Sequence, residues 1–499
     1  MKHPRAAVLF FLTLPGMAHP AAAQTGFPAF ASTFAPVTGY YAGNGAVTAS
    51  TVPETSEWQS GYEGAPAVSV SLSNPHIAMA DVFGNVFIAD KASHAILKVT
   101  PDGLLHTFAG THAFPYTGAA PSYAPPAGFA QDGPAPATSL NLVACNGLYV
   151  LPDGVVYIYD AGSHRIRRVG LDGIMSTVVN DPDPNWLPSG RGLWVSPAED
   201  LIYYTQEVAD LSAPIPPTSI NHPPLGGVVK KWTRDGGIKA VTAYPANPSP
   251  DNLELVNPGN IDVSPITHKL YVTDRAEDNP ARSCVYRIES EAANPLIGQS
   301  VKTVVAGLSS GGTQDGGLAT ETYLNQVRGI SFTREGGYFI CTHKGGQVWF
   351  VDGETAEARI HLFLHGRGKN DIQYRGPAAL PLPVTTVECD SQPRAVTAAP
   401  DGSVLVVSND SGLVRKIKKA APPPLPVIQT LQKPSPDSPF QLTWTGLPLE
   451  SYIVERSPDP SAIPWETAGV VTATEVSASF TDTAAAGMTR GFYRLSLPR

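Results

Sequence analysis

The chain repeats itself. Gly84-Asn-Val-Phe-Ile-Ala-Asp90, followed by Ser93-His94-Ala-Ile-Leu-Lys-Val99 and Pro101-Asp-Gly103, returns as Gly154-Val-Val-Tyr-Ile-Tyr-Asp160, Ser163-His164-Arg-Ile-Arg-Arg-Val169 and Leu171-Asp-Gly173. Internal repetition, even with units of irregular length, means one supersecondary unit stacked on copies of itself, because a single unit cannot bury its own apolar faces. Each copy runs apolar strand, glycine turn, β-branched strand, polar bend, strand, Asp-Gly turn, strand. Asp-Gly supplies the positive φ values of a tight hairpin, so each copy reads as an antiparallel four-stranded sheet. Composition agrees. The chain carries 46 glycines and 49 prolines among 499 residues, well above the usual share of about 12%, which suits turn-rich β structure and not a helical bundle.

Four weaker copies follow. Leu201-Ile-Tyr-Tyr204 leads to Gly227-Val-Val-Lys-Lys-Trp232 and Arg234-Asp-Gly236, and Lys269-Leu-Tyr-Val-Thr-Asp274 leads to Cys284-Val-Tyr-Arg-Ile288. Gly337-Tyr-Phe-Ile340 pairs with Gln347-Val-Trp-Phe-Val351, and Gly402-Ser-Val-Leu-Val-Val407 with Gly412-Leu-Val-Arg-Lys-Ile417. The expected fold is all-β: a six-bladed β-propeller over residues 34–419, followed by a small β-sandwich domain. The sixth unit supplies only three strands before the chain turns proline-rich, while Val37-Thr-Gly-Tyr-Tyr-Ala42 stands alone before the first unit. That segment is expected to fill the gap by pairing near residues 414–418, which closes the ring and removes its exposed edges.

These units resemble the NHL-repeat family, in which a Gly-x-x-Tyr-Ile-Ala-Asp strand is paired with an Asn-His-Arg-Ile strand. The resemblance is close in the first two units and looser in the rest. Gln131-Asp-Gly-Pro-Ala-Pro-Ala137 and Gln314-Asp-Gly-Gly-Leu-Ala319 look like the inter-blade loops of secreted bacterial members. It implies a propeller. Residues 420–426, Ala-Ala-Pro-Pro-Pro-Leu-Pro, form a stiff linker. Beyond it, in 427–499, alternating stretches such as Phe440-Gln-Leu-Thr-Trp444 and Ser451-Tyr-Ile-Val-Glu-Arg456 resemble a short fibronectin type III-like module.

The N-terminus sets the compartment. Residues 1–23 read as a signal peptide, with Lys2 and Arg5 before an apolar run over 6–14 and Ala21-Ala22-Ala23 as the cleavage site. The run is too short to span a bilayer, and no later stretch is long enough, so the mature chain is expected in the periplasm, cell envelope or medium with no membrane span. Acidic residues (43) outnumber basic ones (34), which disfavours nucleic acid as a partner. Export leaves two readings of Cys145, Cys284, Cys341 and Cys389: disulfide partners, with three possible pairings, or isolated buried thiols.

Counting eight residues back from each first hairpin turn aligns His76, Asn146, Arg191, Asn260, Arg328 and Arg394. All are polar, at a strand start that otherwise faces a packed core. They either form a polar ring at the channel mouth, whose guanidinium groups suit carboxylate, phosphate or sulfate, or they cap strand ends. His343 is placed to approach from the same face. No cofactor is expected. Calcium in the manner of gluconolactonase-like propellers needs Glu, Asp and Asn in the channel, zinc in the manner of NHL-type amidating lyases needs clustered histidines, and three arginines repel either ion. Asp90, Asp160 and Asp274 recur at one blade position, which argues for a structural role, as does the recurrence of His94 and His164. Tyr62, Tyr116, Tyr123, Phe129 and Tyr374 lie in long loops (43–74, 111–141 and 366–392) that either cover a ligand or pack on themselves. No nucleophile elbow, zinc-protease or nucleotide-binding motif occurs. The leading expectation is an exported binding or scaffold protein recognising an anionic small molecule, glycan or protein. The alternatives are an exported lyase or lactonase with a metal at the channel mouth, and a purely structural envelope protein.

Overall fold

The computed structural model describes residues 30–497 except 32, 36–38, 47–55, 114–127, 215–221, 276–282, 308–314, 367–387, 390–391, 420–425, 436, 447–450, 460–464, 475–476, 487 and 489–490. The signal-like segment 1–23, most of the linker, and Tyr116, Tyr123 and Tyr374 therefore lie outside the described residues. The named elements are strands and one-turn 3-10 segments.

The first sheet holds Pro75–Ala80, Val86–Asp90, Ala95–Val99 and Leu105–Ala109 in sequential order. The second runs Cys145–Val150, Val156–Asp160, Arg165–Val169 and Ile174–Asn180, edged by Ala135–Pro136. The third and fourth begin at Leu193–Val195 and Pro258–Val263, the fifth at Val327–Phe332 and the last of this series at Pro393–Ala398. All are antiparallel meanders apart from one short parallel pairing, Ile360–Gly366 with Glu388–Cys389. The first strands of successive sheets touch one another in cyclic order, and the last touches the first. Sheets radiating from one axis in this way make a β-propeller.

The sequence pattern follows from this packing. Every residue of Val86–Asp90 is buried, because neighbouring sheets cover both faces of the strand. Val86 and Ile88 pack with Leu405 and Val407 of the last sheet. Phe87 and Ala89, pointing the other way, pack with Leu148 and Ile158 of the second. That is why these strands read as continuous apolar runs.

The ring ends meet. Tyr41 N–H donates to the Val414 carbonyl at 2.8 Å, Val414 N–H donates back to Ala42 at 2.9 Å, and Phe34 bridges Lys419. Next to this contact, Gly43 has φ +88°, and a Cβ there would lie 2.0 Å from the Gly412 carbonyl oxygen.

Recurrent residues do recurrent structural work. Asp90 accepts the Ser73 N–H (2.9 Å), Asp160 that of Val143 (2.6 Å), and Asp274 those of Val256 (3.0 Å) and Asn257 (2.8 Å). Each carboxylate thus fixes the chain entering its own innermost strand. Asp160 also accepts the Ser163 hydroxyl of the bend beside it. His94 and His164 take left-handed conformations at the ends of matching 3-10 turns. His94 Nδ1 accepts the Ala144 N–H of the next sheet (3.0 Å), and His164 stacks on Trp186 (5.1 Å). Cys145 and Cys341 are free and buried, so the disulfide reading fails for these two. Each sits inside a packed sheet, and burial pushes the Cys341 thiol up to about 12.

Residues beyond the linker form two three-stranded sheets. One orders Val427–Gln432, Phe440–Thr445 and Ser477–Asp482; the other orders Glu466–Thr472, Ser451–Ser457 and Phe492–Ser496. Leu442 and Trp444 of the first share a core with Tyr452 and Val454 of the second. Trp444 and Tyr452 are fully enclosed and meet edge to face at 5.9 Å.

Candidate functional site at the channel mouth

In five of the propeller sheets the innermost strand bulges by one residue where it begins. The register puts His76, Asn146, Arg328 and Arg394 at that bulge, and Arg191 holds the same place in the third sheet, two residues before Leu193. In the fourth sheet the equivalent residue is Gly259, not Asn260. His268 bonds back to Ser264, four residues away, whereas Gly84 and Glu199 bond back to Asp81 and Ser196, three residues away, so a count of eight from His268 lands one residue late. Side-chain bonds between sheets agree: Thr205 Oγ1 donates to the Gly259 carbonyl (3.0 Å) as Thr273 Oγ1 donates to that of Arg328 (2.9 Å). The inner strands lie so close here that a Cβ on Gly147 would meet the Arg191 carbonyl oxygen at 2.4 Å.

A second tier lies beside the bulges. The residue following the last position of each second strand is Lys91, Ala161, Arg275, His343 and Asn409, and Glu207 takes that place in the third sheet. Sequence counting found His343 but missed Lys91, Glu207 and Arg275. For Lys91 and Arg275 the signal was available: a charged residue directly after the recurrent Asp90 and Asp274.

The three ring arginines have different surroundings. Arg191 Nη2 donates to Glu207 Oε1 at 3.0 Å and to the Ser189 carbonyl at 2.9 Å. Glu207 also accepts Ser189 Oγ (2.7 Å), and the Asn257 amide, oriented to suit its neighbours, donates to Glu207 (3.0 Å) and accepts from Arg275 (2.9 Å). Burial raises the Glu207 carboxyl above its usual range, opposed by the Ser189 hydrogen bond and the charges of Arg275, Lys91 and Arg394. Arg191 is therefore served by an acid, a strand residue of its own sheet that reaches it. Arg394 lies in the field of Asp410. Arg328 is 4% exposed, its Nε and Nη1 are enclosed without a partner, and among the described residues its guanidinium makes no hydrogen bond or ion pair.

Acceptors also go unused. Asn146 gives both amide hydrogens to the Ser189 (2.8 Å) and Gly190 (3.0 Å) carbonyls, which leaves Oδ1 buried and bare. His76 Nδ1 sits 3.0 Å from the Asn74 carbonyl, so Nδ1 carries the proton and Nε2 presents its lone pair. Burial, then the charges of Arg394 and Lys91, hold His76 neutral. His343, beside Gln326 Oε1 at 3.4 Å, is kept neutral in the same way by burial and by Arg394 and Arg275.

One step deeper, Asn260 and Asp262 line a central cavity of about 20 Å³ with Ile77, Met79, Tyr149 and Ser331. Asp262 accepts the Val263 and Phe332 N–H groups, both at 2.8 Å, yet burial pushes its carboxyl up to about 7. Among the loop aromatics, Tyr62 meets Trp58 of its own loop edge to face (5.9 Å), and Trp58 stacks on His112 of the next long loop (4.0 Å).

The side chains present do not fit a metal. Among the described residues no three His, Cys, Asp or Glu groups converge. Glu207 is committed to Arg191, Ser189 and Asn257, and the two histidines stand in the fields of arginines. No described helix is long and apolar enough to cross a membrane.

No family model and no curated protein matches the chain. Solved structures to which it is similar include a protein of unknown function from Bacteroides thetaiotaomicron (12% identity, 77% of this chain and 76% of that one, TM-score 0.49). An auxiliary nutrient binding protein from Bacteroides ovatus is similar at 14% identity (78% of each chain, TM-score 0.48). A gluconolactonase from Xanthomonas campestris is similar at 12% identity (70% of this chain and 88% of that one, TM-score 0.42).

Proposed function

We propose that this is an exported binding protein that captures an anion at the mouth of its propeller channel. The observation that carries the reading is Arg328, a buried guanidinium with no partner among the described residues. A buried cation left without hydrogen bonds costs several kcal/mol, and an incoming carboxylate, phosphate or sulfate removes that cost. His76, Asn146, Arg191, Arg394 and His343 complete the wall around it, and Asn260 stands below. In this reading the ring is a six-bladed NHL-like propeller over residues 34–419. Residues 1–23 direct export, 420–426 act as linker, and 427–499 form a fibronectin type III-like sandwich that spaces or attaches the propeller.

Calorimetry against acetate, succinate, phosphate and sulfate tests the reading. Saturable binding of at least one of them, lost in Arg328→Ala, is the expected result. A wild-type protein that binds none of the panel overturns it. Turnover of a lactone, dependent on added metal, would move the protein to the lyase or lactonase alternative.

A further inference from the structure

The unused groups at the mouth are of two kinds, and their combination narrows the ligand. Arg328 supplies unpaired donors carrying positive charge. Asn146 Oδ1 and His76 Nε2 supply unpaired acceptors, and both side chains are more than nine-tenths buried. Their orientations are fixed from behind: the Asn146 amide by two carbonyl oxygens, the His76 ring by one. Neither can rotate to become a donor without losing those bonds. A simple carboxylate or sulfate has acceptor oxygens only, so it satisfies Arg328 and leaves Asn146 Oδ1 and His76 Nε2 without a donor. An ammonium donor would satisfy the acceptors but meets the charges of Arg394 and Lys91, which lie within electrostatic reach of His76. The donors that remain are neutral O–H and N–H groups, and a sugar acid carries several such hydroxyls beside its carboxylate.

Resting on the anion reading above, we infer that the mouth takes a polyhydroxylated carboxylate, an acidic sugar, with its anionic group on Arg328 and its hydroxyls donating to Asn146 Oδ1 and His76 Nε2. These groups come from the first, second and fifth sheets, on different sides of the axis. A buried acceptor that pairs only with the hydroxylated ligand discriminates strongly against its deoxygenated analogue, because the analogue leaves that acceptor unpaired.

The test uses the mature protein and a matched pair, glucuronate and cyclohexanecarboxylate, which share one negative charge and a six-membered ring. Titration calorimetry is expected to show glucuronate binding at least tenfold more tightly. Asn146→Leu and His76→Leu should each weaken glucuronate at least fivefold while leaving cyclohexanecarboxylate within twofold. Circular dichroism checks that each variant folds, and the wild-type ratio stands as a test if neither does. Equal binding of the two probes overturns the inference and leaves the anion reading intact. Binding of neither probe overturns the inference. The anion reading falls as well only if the inorganic anions also fail. Polygalacturonate in place of the monomer separates a polysaccharide source from a free sugar acid.

Discussion

Glu207 and Arg191 form a buried ion pair at 3.0 Å, both side chains below 10% exposed. The pair joins the end of a second strand to the start of the innermost strand of the same sheet. Its members are further tied by Ser189 and Asn257, so the third sheet meets its own arginine's charge. Glu207→Gln strands Arg191, and removing one partner of a buried pair costs ~3–5 kcal/mol. Urea unfolding in anion-free buffer should show a loss of that order. Adding sulfate should recover more stability in the variant than in the wild type, since only the variant then has a second uncompensated guanidinium.

Arg328 behaves in the opposite way. With no protein partner to lose, Arg328→Ala should leave the unfolding midpoint close to wild type, and relief of repulsion at the mouth offsets lost packing. Anion affinity, by contrast, should fall by ~1.5–3 kcal/mol, the usual worth of a charged hydrogen bond. Calorimetry and denaturation on the same preparation separate the two effects. A large stability loss with unchanged affinity would make Arg328 a structural residue.

Much of the ring was legible because its chemistry recurs. Ile88 and Ile158 sit at equal places in strands enclosed on both faces, and Asp-Gly turns punctuate them. Reading the mouth by a fixed count worked wherever the counted turn residue bonds three residues back, as Gly84 does to Asp81 and Glu199 to Ser196. It slipped at Asn260, where the count began at His268, which bonds four residues back to Ser264. Glu207 was not legible by that count because it belongs to the second strand's end and reaches the ring only through tertiary pairing. Asp262 left a signal that periodicity does register: one acid at an alternating position of an apolar strand, Asn-Ile-Asp-Val. What distinguishes Arg328 from Arg191 is a matter of neighbours in space, and no spacing along the chain encodes it.

Asp262 makes the channel pH-sensitive. Folded, it keeps its proton up to about pH 7, whereas an unfolded aspartate releases it near pH ~3.9. Between those values the folded state binds more protons, so this group's contribution to stability declines as pH rises through the interval. Asp262→Asn cannot ionise. The melting temperature of the variant minus that of the wild type should therefore increase from pH 4.5 to pH 8, measured by differential scanning calorimetry. A flat difference would mean that the Asp262 carboxylate is ionised throughout.

Ring closure depends on Gly43 more than on any apolar contact near it. Its φ of +88° is a conformation that L side chains avoid, and a Cβ would stand 2.0 Å from the Gly412 carbonyl oxygen, far inside van der Waals contact. The obstruction is backbone on both sides, so no side chain can swing away to admit a methyl group. Gly43→Ala must then displace the segment that carries the Tyr41–Val414 and Ala42–Val414 hydrogen bonds. Opening that seam exposes the edge Leu413–Ile417, a row of unpaired backbone groups of the kind that invites aggregation. The expected cost exceeds ~2 kcal/mol, the positive-φ penalty together with the lost backbone bonds. Hydrogen exchange should locate it, with protection of residues 413–417 falling first while the second and third sheets keep theirs. Unchanged protection across 413–417 would show that the N-terminal segment is dispensable and that the remaining sheets hold the ring closed by packing alone.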